Sequence, residues 1–126
     1  MSYNILIVDD SSIIRSVVKK TISMAGVDVG EFFEAANGVE ALSLLGRKGI
    51  DVVFADINMP QMNGLDLVAH MCSRRNLAKI PVVIVSTERS QERIEQMKQQ
   101  GVRAYIKKPF RPEDFRQVVQ DVFGAE

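Results

Sequence analysis

The stretch Ile5-Leu6-Ile7-Val8-Asp9-Asp10 carries two acids directly after a short apolar run. The pattern recurs farther along the chain, where Asp56 follows the apolar residues 52–55 and Lys108 follows residues 104–107. Continuous apolar runs rich in Val and Ile are typical of strands buried on both faces of a parallel sheet. Parallel strands end at one edge of such a sheet, where ligands of open α/β folds bind. We therefore predict that these charged side chains converge there.

Strand and helix signals alternate from one end of the chain to the other. The predicted strands cover residues 4–8, 31–36, 52–56, 81–86 and 104–107, and the predicted helices cover residues 12–24, 38–46, 64–74, 91–100 and 112–123. The second strand is less uniformly apolar than the others and suits an edge of the sheet. A repeated strand-helix unit implies right-handed crossovers and a three-layer α/β sandwich. We predict one domain over residues 1–126.

Composition excludes several classes of protein. The 126 residues suit one domain, and the formal net charge of zero gives no indication of nucleic-acid binding. No apolar run approaches the length of a membrane span, so we expect no membrane insertion. The chain enters its first strand almost at once, so we expect no signal peptide. Cys72 is the only cysteine, which excludes an internal disulfide and favours a reducing cytoplasm.

The predicted helix at residues 91–100 has the thinnest apolar stripe, since Ile94 and Met97 are its clearest large apolar residues. A helix with so little to bury is expected to be loosely held. We predict that Ile94, Met97 and the nearby Tyr105 form the centre of a switchable output surface. The plainer reading of Tyr105 is a half-buried aromatic residue on an edge strand.

The converging acids have two interpretations. Asp9 and Asp10 alone are explained by the usual role of acids in turns and helix caps. Asp56 is harder to explain in that way, because it brings a third carboxylate to the same predicted edge. Carboxylates crowded together repel one another unless a cation joins them. The set therefore indicates a divalent metal and phosphoryl chemistry, whereas the spacing of an EF-hand calcium loop is absent.

Taken together, the motifs resemble the receiver domain of two-component response regulators. The resemblance covers the whole chain, in order and at the usual spacing, and rests on Asp9-Asp10, Asp56, Met59-Pro60, Gly64, Ser86 and Lys108-Pro109-Phe110. It is closest to the stand-alone chemotaxis (CheY-like) type, because Asn58 lies two residues after Asp56 and Glu88 two after Ser86. The resemblance implies a flavodoxin-like, doubly wound (βα)5 fold with five parallel strands in the order 2-1-3-4-5.

The resemblance also implies a reaction. Asp56 would accept a phosphoryl group from the phosphohistidine of a sensor histidine kinase or a phosphotransfer protein. Asp10, Asp56 and the backbone carbonyl of Asn58 would hold Mg²⁺, and Asp9 would act through water. The chain would catalyse only its own phosphorylation and dephosphorylation and turn over no separate substrate.

Further residues receive roles by the same resemblance. Lys108 would stabilise the phosphoryl oxygens, and the bond from Lys108 to Pro109 is a candidate for a cis peptide. Ser86 would bind the phosphoryl group and draw its loop inward, and Tyr105 would follow by turning from outward to buried. The output would be a protein target on the face formed by the fourth helix, fifth strand and fifth helix, and the chain would be a monomer or weak dimer.

The lifetime of the phosphoryl group is expected to depend on three residues beside the site. Asn58 and Glu88 flank the approach of water in the resembling family. Thr87 stands where that family often has alanine or glycine, so its bulk is expected to hinder access.

Two other functions remain open at this stage. A phosphatase of the haloacid dehalogenase type also uses an aspartyl nucleophile and Mg²⁺. That class carries an Asp-x-Asp motif after its first strand, whereas Asp9 and Asp10 of this chain are adjacent. A pseudo-receiver would bind partners without ever carrying phosphate. The presence of Asp10, Asp56, Ser86 and Lys108 argues against that alternative.

Overall fold

The computed structural model describes residues 2–88 and 90–124. In these ranges five strands alternate with five helices. The elements are β1 (Tyr3–Val8), α1 (Ser12–Met24), β2 (Val29–Ala35), α2 (Gly38–Arg47), β3 (Val52–Ala55), α3 (Gly64–Cys72), β4 (Val82–Ser86), α4 (Gln91–Gln99), β5 (Ala104–Lys107) and α5 (Pro112–Phe123). None of the helices in the described part of the chain is long and apolar enough to cross a membrane.

Two predicted boundaries are wrong by more than one residue. β2 begins at Val29, two residues before the predicted start, because Val29 already pairs with Tyr3 of β1. α3 ends at Cys72 rather than residue 74, because the backbone N–H of Arg74 donates to the carbonyl of Met71 and tightens the chain into a turn. Neither pairing is visible in the local apolar pattern.

The five strands form one parallel sheet in the order β2-β1-β3-β4-β5. This order confirms the predicted fold and the edge position of β2, and it places β3 at the centre. Alternate residues of β1 enter different cores, since Ile5 and Ile7 pack with α1 and α5 whereas Leu6 and Val8 pack with α2 and α3. A strand buried on both faces needs apolar residues at every position, which explains the unbroken run in the sequence.

Side-chain caps start four of the helices close to the carboxyl edge of the sheet. Ser11, Asn37, Asn63 and Ser90 each accept a hydrogen bond from the backbone N–H three residues farther on. Such caps satisfy backbone donors that have no partner within the helix. The connections between strand ends and helices are thereby held in defined positions, and these connections carry the charged residues.

The predicted role of Ile94 and Met97 as surface residues is wrong. Ile94 is 4% exposed and Met97 is 2% exposed, so both lie on the buried side of α4, and Met97 joins the core that α2 and α3 share with the sheet. The other described residues of α4 are exposed, so the thin stripe itself was correctly predicted. Any partner that binds this helix must contact polar side chains such as those of Gln96 and Gln99.

Candidate functional site

Three of the predicted charged residues meet at the carboxyl edge of the sheet. The ammonium nitrogen of Lys108 lies 3.6 Å from Oδ1 of Asp56 and 4.0 Å from Oδ2 of Asp9. Backbone hydrogen bonds join neighbouring strand ends in two pairs, from the N–H of Asp56 to the carbonyl of Val8 and from the N–H of Lys108 to the carbonyl of Ser86. The peptide bond between Lys108 and Pro109 is cis. The edge therefore combines two carboxylates from neighbouring strands with one cation.

Asp9 is the most enclosed acid of the site, with only 6% of its surface exposed. Its backbone N–H donates to the carbonyl of Ala35, and its Oδ1 accepts from the backbone N–H of Ser11. Burial raises the pKa of Asp9, and the negative charges of Asp56 and Asp10 raise it further, whereas the Ser11 hydrogen bond and Lys108 lower it. Burial and two acidic neighbours therefore outweigh the Ser11 hydrogen bond and Lys108 in setting the direction of this pKa shift.

Asp10 follows Asp9 directly and Asn58 lies two residues after Asp56, and both are exposed. Within residues 2–88 and 90–124, no three side chains of His, Cys, Asp or Glu stand close enough together to form a metal cluster on their own. The oxygen atoms near the site come from a buried acid, a half-buried acid and exposed groups. Such a set leaves room for waters as additional ligands.

The loop between β3 and α3 is held against Asp56 by a glycine. The backbone N–H of Gly64 donates to the carbonyl of Ile57, and a Cβ at Gly64 would overlap the carbonyl oxygen of Asp56. A second close contact lies nearby, because a Cβ at Gly38 would overlap the side chain of Met62. The sequence shows the Asn-Gly turn, but nothing in it pairs Gly38 with Met62.

The fourth strand delivers Ser86 to the same edge, where it is 4% exposed, whereas Thr87 is exposed. Tyr105 on the edge strand β5 is half-buried, and its hydroxyl donates to the backbone carbonyl of Glu88 at 2.9 Å. Burial raises the pKa of Tyr105, and its hydrogen bonds with Ser86 and Glu88 oppose that rise. The Tyr105 hydroxyl is thus directed toward Ser86 and the loop after β4, while the residue as a whole is half-buried on an edge strand, as its plainer reading expects.

Sequence reasoning missed Arg15. Its guanidinium Nη1 donates to the backbone carbonyl of Asp9 at 2.6 Å, and its Nε donates to the carboxylate of Glu34 at 2.9 Å. A basic residue on a helix face is usually solvated, so no local pattern singles Arg15 out. Its partners, Glu34 and the carbonyl of Asp9, follow only from the packing of α1 beside β2.

A doubly wound α/β domain with acids and a lysine at the carboxyl edge of its sheet belongs to the flavodoxin-like class. Within that class, the family profile of the response regulator receiver domain matches residues 5–120. The chain therefore belongs to the response regulator receiver family of phosphorelay signalling. Proteins of this kind are generally switches rather than enzymes acting on a separate substrate.

Comparison with known proteins gives the same family. The chain is 37% identical over 122 residues to the chemotaxis protein CheY homolog of Campylobacter jejuni, a match that covers 96% of this chain and 92% of the relative. It is also 37% identical to chemotaxis protein CheY1 of Helicobacter pylori, covering 96% of this chain and 97% of that protein. The relatives are therefore similar to it over nearly their whole length.

Solved structures share the fold. The structure of chemotaxis protein CheY4 of Vibrio cholerae superposes with a TM-score of 0.84 at 34% identity, covering 97% of this chain and 99% of that one. The receiver domain of the sensor histidine kinase PA1611 of Pseudomonas aeruginosa has a TM-score of 0.84 at 21% identity, covering 99% and 100% of the two chains. That structure holds a magnesium ion in its active-site cleft.

Proposed function

We propose that Asp56 accepts a phosphoryl group from the phosphohistidine of a sensor histidine kinase or a phosphotransfer protein. The observation that carries the proposal is the position of Lys108, whose ammonium group lies 3.6 Å from Asp56 at an open edge of the sheet. Asp56 follows the central strand and is half-buried, so it is held in place yet remains open to a donor. An oxygen of Asp56 bonds to phosphorus as the bond from phosphorus to the imidazole nitrogen breaks, and the imidazole takes up a proton.

Lys108 stabilises the charge of the transferring group. The phosphoryl oxygens carry most of the negative charge during transfer, and catalysis of this reaction relies on positioning and on electrostatic stabilisation. Lys108 already faces the attacking carboxylate, so it needs little movement to contact a phosphoryl oxygen. The phosphoryl group is removed by hydrolysis. Water attacks phosphorus, the bond to Asp56 breaks and inorganic phosphate leaves.

The acids of the site fit a magnesium ion. Asp10, Asp56 and the backbone carbonyl of Asn58 would hold it, and Asp9 would contact it through water. Magnesium binds hard oxygen ligands and usually keeps several waters, so exposed Asp10 and Asn58 suit it better than a closed cage would. The raised pKa of Asp9 reflects burial and uncompensated acidic neighbours, which a bound cation would relieve. When bound, the metal would neutralise charge on the phosphoryl oxygens.

Phosphorylation would act on the face formed by α4, β5 and α5. Ser86 would bind the phosphoryl group, and Tyr105 lies behind it in contact with the loop that leads to α4. α4 is anchored chiefly by Ile94 and Met97, so a small change at this loop has little burial to overcome. The output would be the binding of a target protein, and the names of the relatives favour chemotaxis. The proposal includes a cytoplasmic location, a monomeric or weakly dimeric state, and one receiver unit over residues 1–126.

The first test is phosphoryl transfer to the purified protein. Incubation with acetyl phosphate and Mg²⁺ is expected to add one phosphoryl mass, and Asp56→Asn is expected to abolish the addition. Asp121→Asn is the matched control, because Asp121 is an exposed acid on α5 whose Oδ1 accepts only a side-chain hydrogen bond from Gln117 among the contacts described. Labelling that persists in Asp56→Asn would refute the assignment. No labelling of the wild type would favour a pseudo-receiver, and turnover of a generic phosphate ester would favour a phosphatase.

The second test locates the output face by NMR. Beryllofluoride with Mg²⁺ mimics the phosphoryl group and is expected to shift backbone resonances from Gln91 to Tyr105 as well as those near Asp56. A ligand shifts a two-state equilibrium only as far as it binds the two states differently. Changes confined to Asp56 and its loop neighbours would show that this face is not the switch.

A further inference from the structure

Arg15 connects the acid-bearing turn to the edge strand of the sheet. Its Nη1 donates to the backbone carbonyl of Asp9 at 2.6 Å, while its Nε donates to Oε1 of Glu34 on β2 at 2.9 Å. The Arg15 side chain is only 16% exposed, although it lies on a helix that faces solvent along much of its length. This residue therefore spans from α1 to two separate elements of the fold.

The contact completes the set of bonds that hold Asp9. The backbone N–H of Asp9 is bound to Ala35, its Oδ1 to Ser11 and its Oδ2 faces Lys108. The backbone carbonyl, which leads directly into Asp10, is held by Arg15. Asp10 itself is exposed, so the direction of its side chain depends on the backbone that carries it.

Lys19 forms an ion pair with Glu34 and serves as a comparison for Arg15. Its ammonium group lies 2.6 Å from Oε2 of Glu34, one turn farther along α1. Lys19 shares the carboxylate with Arg15, but the described contacts do not take it to Asp9. The ion pair of Lys19 with Glu34 is enough to attach α1 to β2. The bond from Arg15 to the carbonyl of Asp9 adds a contact at the site.

We infer that Arg15 is a positioning residue, which fixes the turn through Asp9 and thereby orients Asp10 for a divalent cation. The inference rests on the proposed function. Arginine suits this task because its planar guanidinium presents several donors in a fixed arrangement and binds two acceptors at once. A lysine keeps the charge but supplies a single ammonium group, so it cannot reproduce both bonds with the same geometry. Groups that orient metal ligands commonly change metal affinity when they are replaced.

The experiment compares Mg²⁺ binding in three variants by isothermal titration calorimetry. Arg15→Lys keeps the charge and is expected to weaken Mg²⁺ binding about tenfold, the lower end of the effect known for such supporting contacts. Arg15→Gln, which also removes the charge, is expected to weaken binding as well. Lys19→Gln disturbs the same Glu34 carboxylate without touching Asp9 and is expected to leave affinity unchanged or slightly tighter.

A second readout separates orientation from stability. The backbone amide of Ser11, which donates to Asp9, is expected to exchange its hydrogen faster in metal-free Arg15→Lys than in metal-free Lys19→Gln. Equal Mg²⁺ affinity in wild type and Arg15→Lys overturns the inference while leaving the proposed function standing. Tighter binding in Arg15→Gln with no change in Arg15→Lys also overturns it, because Arg15 would then act only as a repelling charge. A wild type that does not bind Mg²⁺ refutes the proposed function and the inference together.

Discussion

The hydroxyl of Tyr105 donates a hydrogen bond to the backbone carbonyl of Glu88, and the two oxygens are 2.9 Å apart. Glu88 lies in the loop that leaves the end of β4, and its carboxylate accepts from the backbone N–H of Ser90, the N-cap of α4. The edge strand β5 and the start of α4 are therefore connected through one residue of this loop. Any movement of the loop toward the acid site must be transmitted to, or resisted by, the ring of Tyr105.

Tyr105→Phe is expected to lower the free energy of unfolding by about 1 kcal/mol, the usual net value of a hydrogen bond, for each of the bonds that the hydroxyl makes with Glu88 and Ser86. The loss should be local, so amide hydrogens at Ser90 and Gln91 are expected to exchange faster. Urea unfolding and hydrogen exchange provide the measurements. Tyr3→Phe is the control, because the ring of Tyr3 stacks on Phe123 with centroids 4.4 Å apart and the change leaves that stacking in place. Unchanged exchange at Ser90 in Tyr105→Phe would contradict the coupling.

Asp10→Ala is expected to weaken Mg²⁺ binding sharply and to raise stability in metal-free buffer. The charge of Asp10 raises the pKa of Asp9, so removing the Asp10 carboxylate relieves the repulsion between the two acids when no metal is bound. Calorimetric titration with Mg²⁺ and urea unfolding in a chelating buffer would measure the two effects. Asp121→Ala, which removes an exposed acid on α5, should change neither. Equal metal affinity in Asp10→Ala and wild type would place the site elsewhere.

Thr87→Ala is expected to shorten the lifetime of the phosphoryl group. Thr87 is exposed immediately after the buried Ser86, and we expect its bulk to hinder the approach of water to the edge of the sheet. Decay of the labelled protein after removal of acetyl phosphate gives the rate. Thr87→Val is the matched control, because it keeps the bulk and loses only the hydroxyl, and its decay should stay near that of the wild type. Equal or slower decay in Thr87→Ala would show that Thr87 does not limit access.

Glu34→Gln is expected to reduce stability at neutral pH, and the difference from wild type should disappear in acid. The hydrogen bond from Lys19, followed by that from Arg15, holds the pKa of Glu34 below its ordinary value of 4.5. Because the folded-state pKa is lower than the unfolded one, the stabilisation is fully present above 4.5 and is lost as the pH falls through the folded value. Urea midpoints measured from neutral to acidic pH check this dependence. Glu31→Gln, an exposed glutamate on the same strand, is the control, and a difference that persists at low pH would contradict the prediction.

The chain by itself determined the elements of the fold and which residues stand at their ends. Unbroken apolar runs predicted strands buried on both faces, and the acids after β1 and β3 were therefore assigned correctly to one edge of the sheet. The family and the strand order followed from the combination of motifs, since each motif alone has a plainer explanation. Local patterns carry this information because burial and the direction of a strand depend on consecutive residues.

Tertiary structure alone decided several contacts made by residues outside the motifs. The sequence did not predict the bond from Arg15 to Asp9 or the contact of Gly38 with Met62, because each joins residues on different elements whose relative rotation no local pattern specifies. Nor did it predict that Ile94 and Met97 are anchors rather than surface residues. A thin apolar stripe fits a loosely held helix and an exposed patch equally well in the sequence. Only the packing of α4 against the sheet distinguishes the two, since burial is a property of the assembled layers and not of the helix itself.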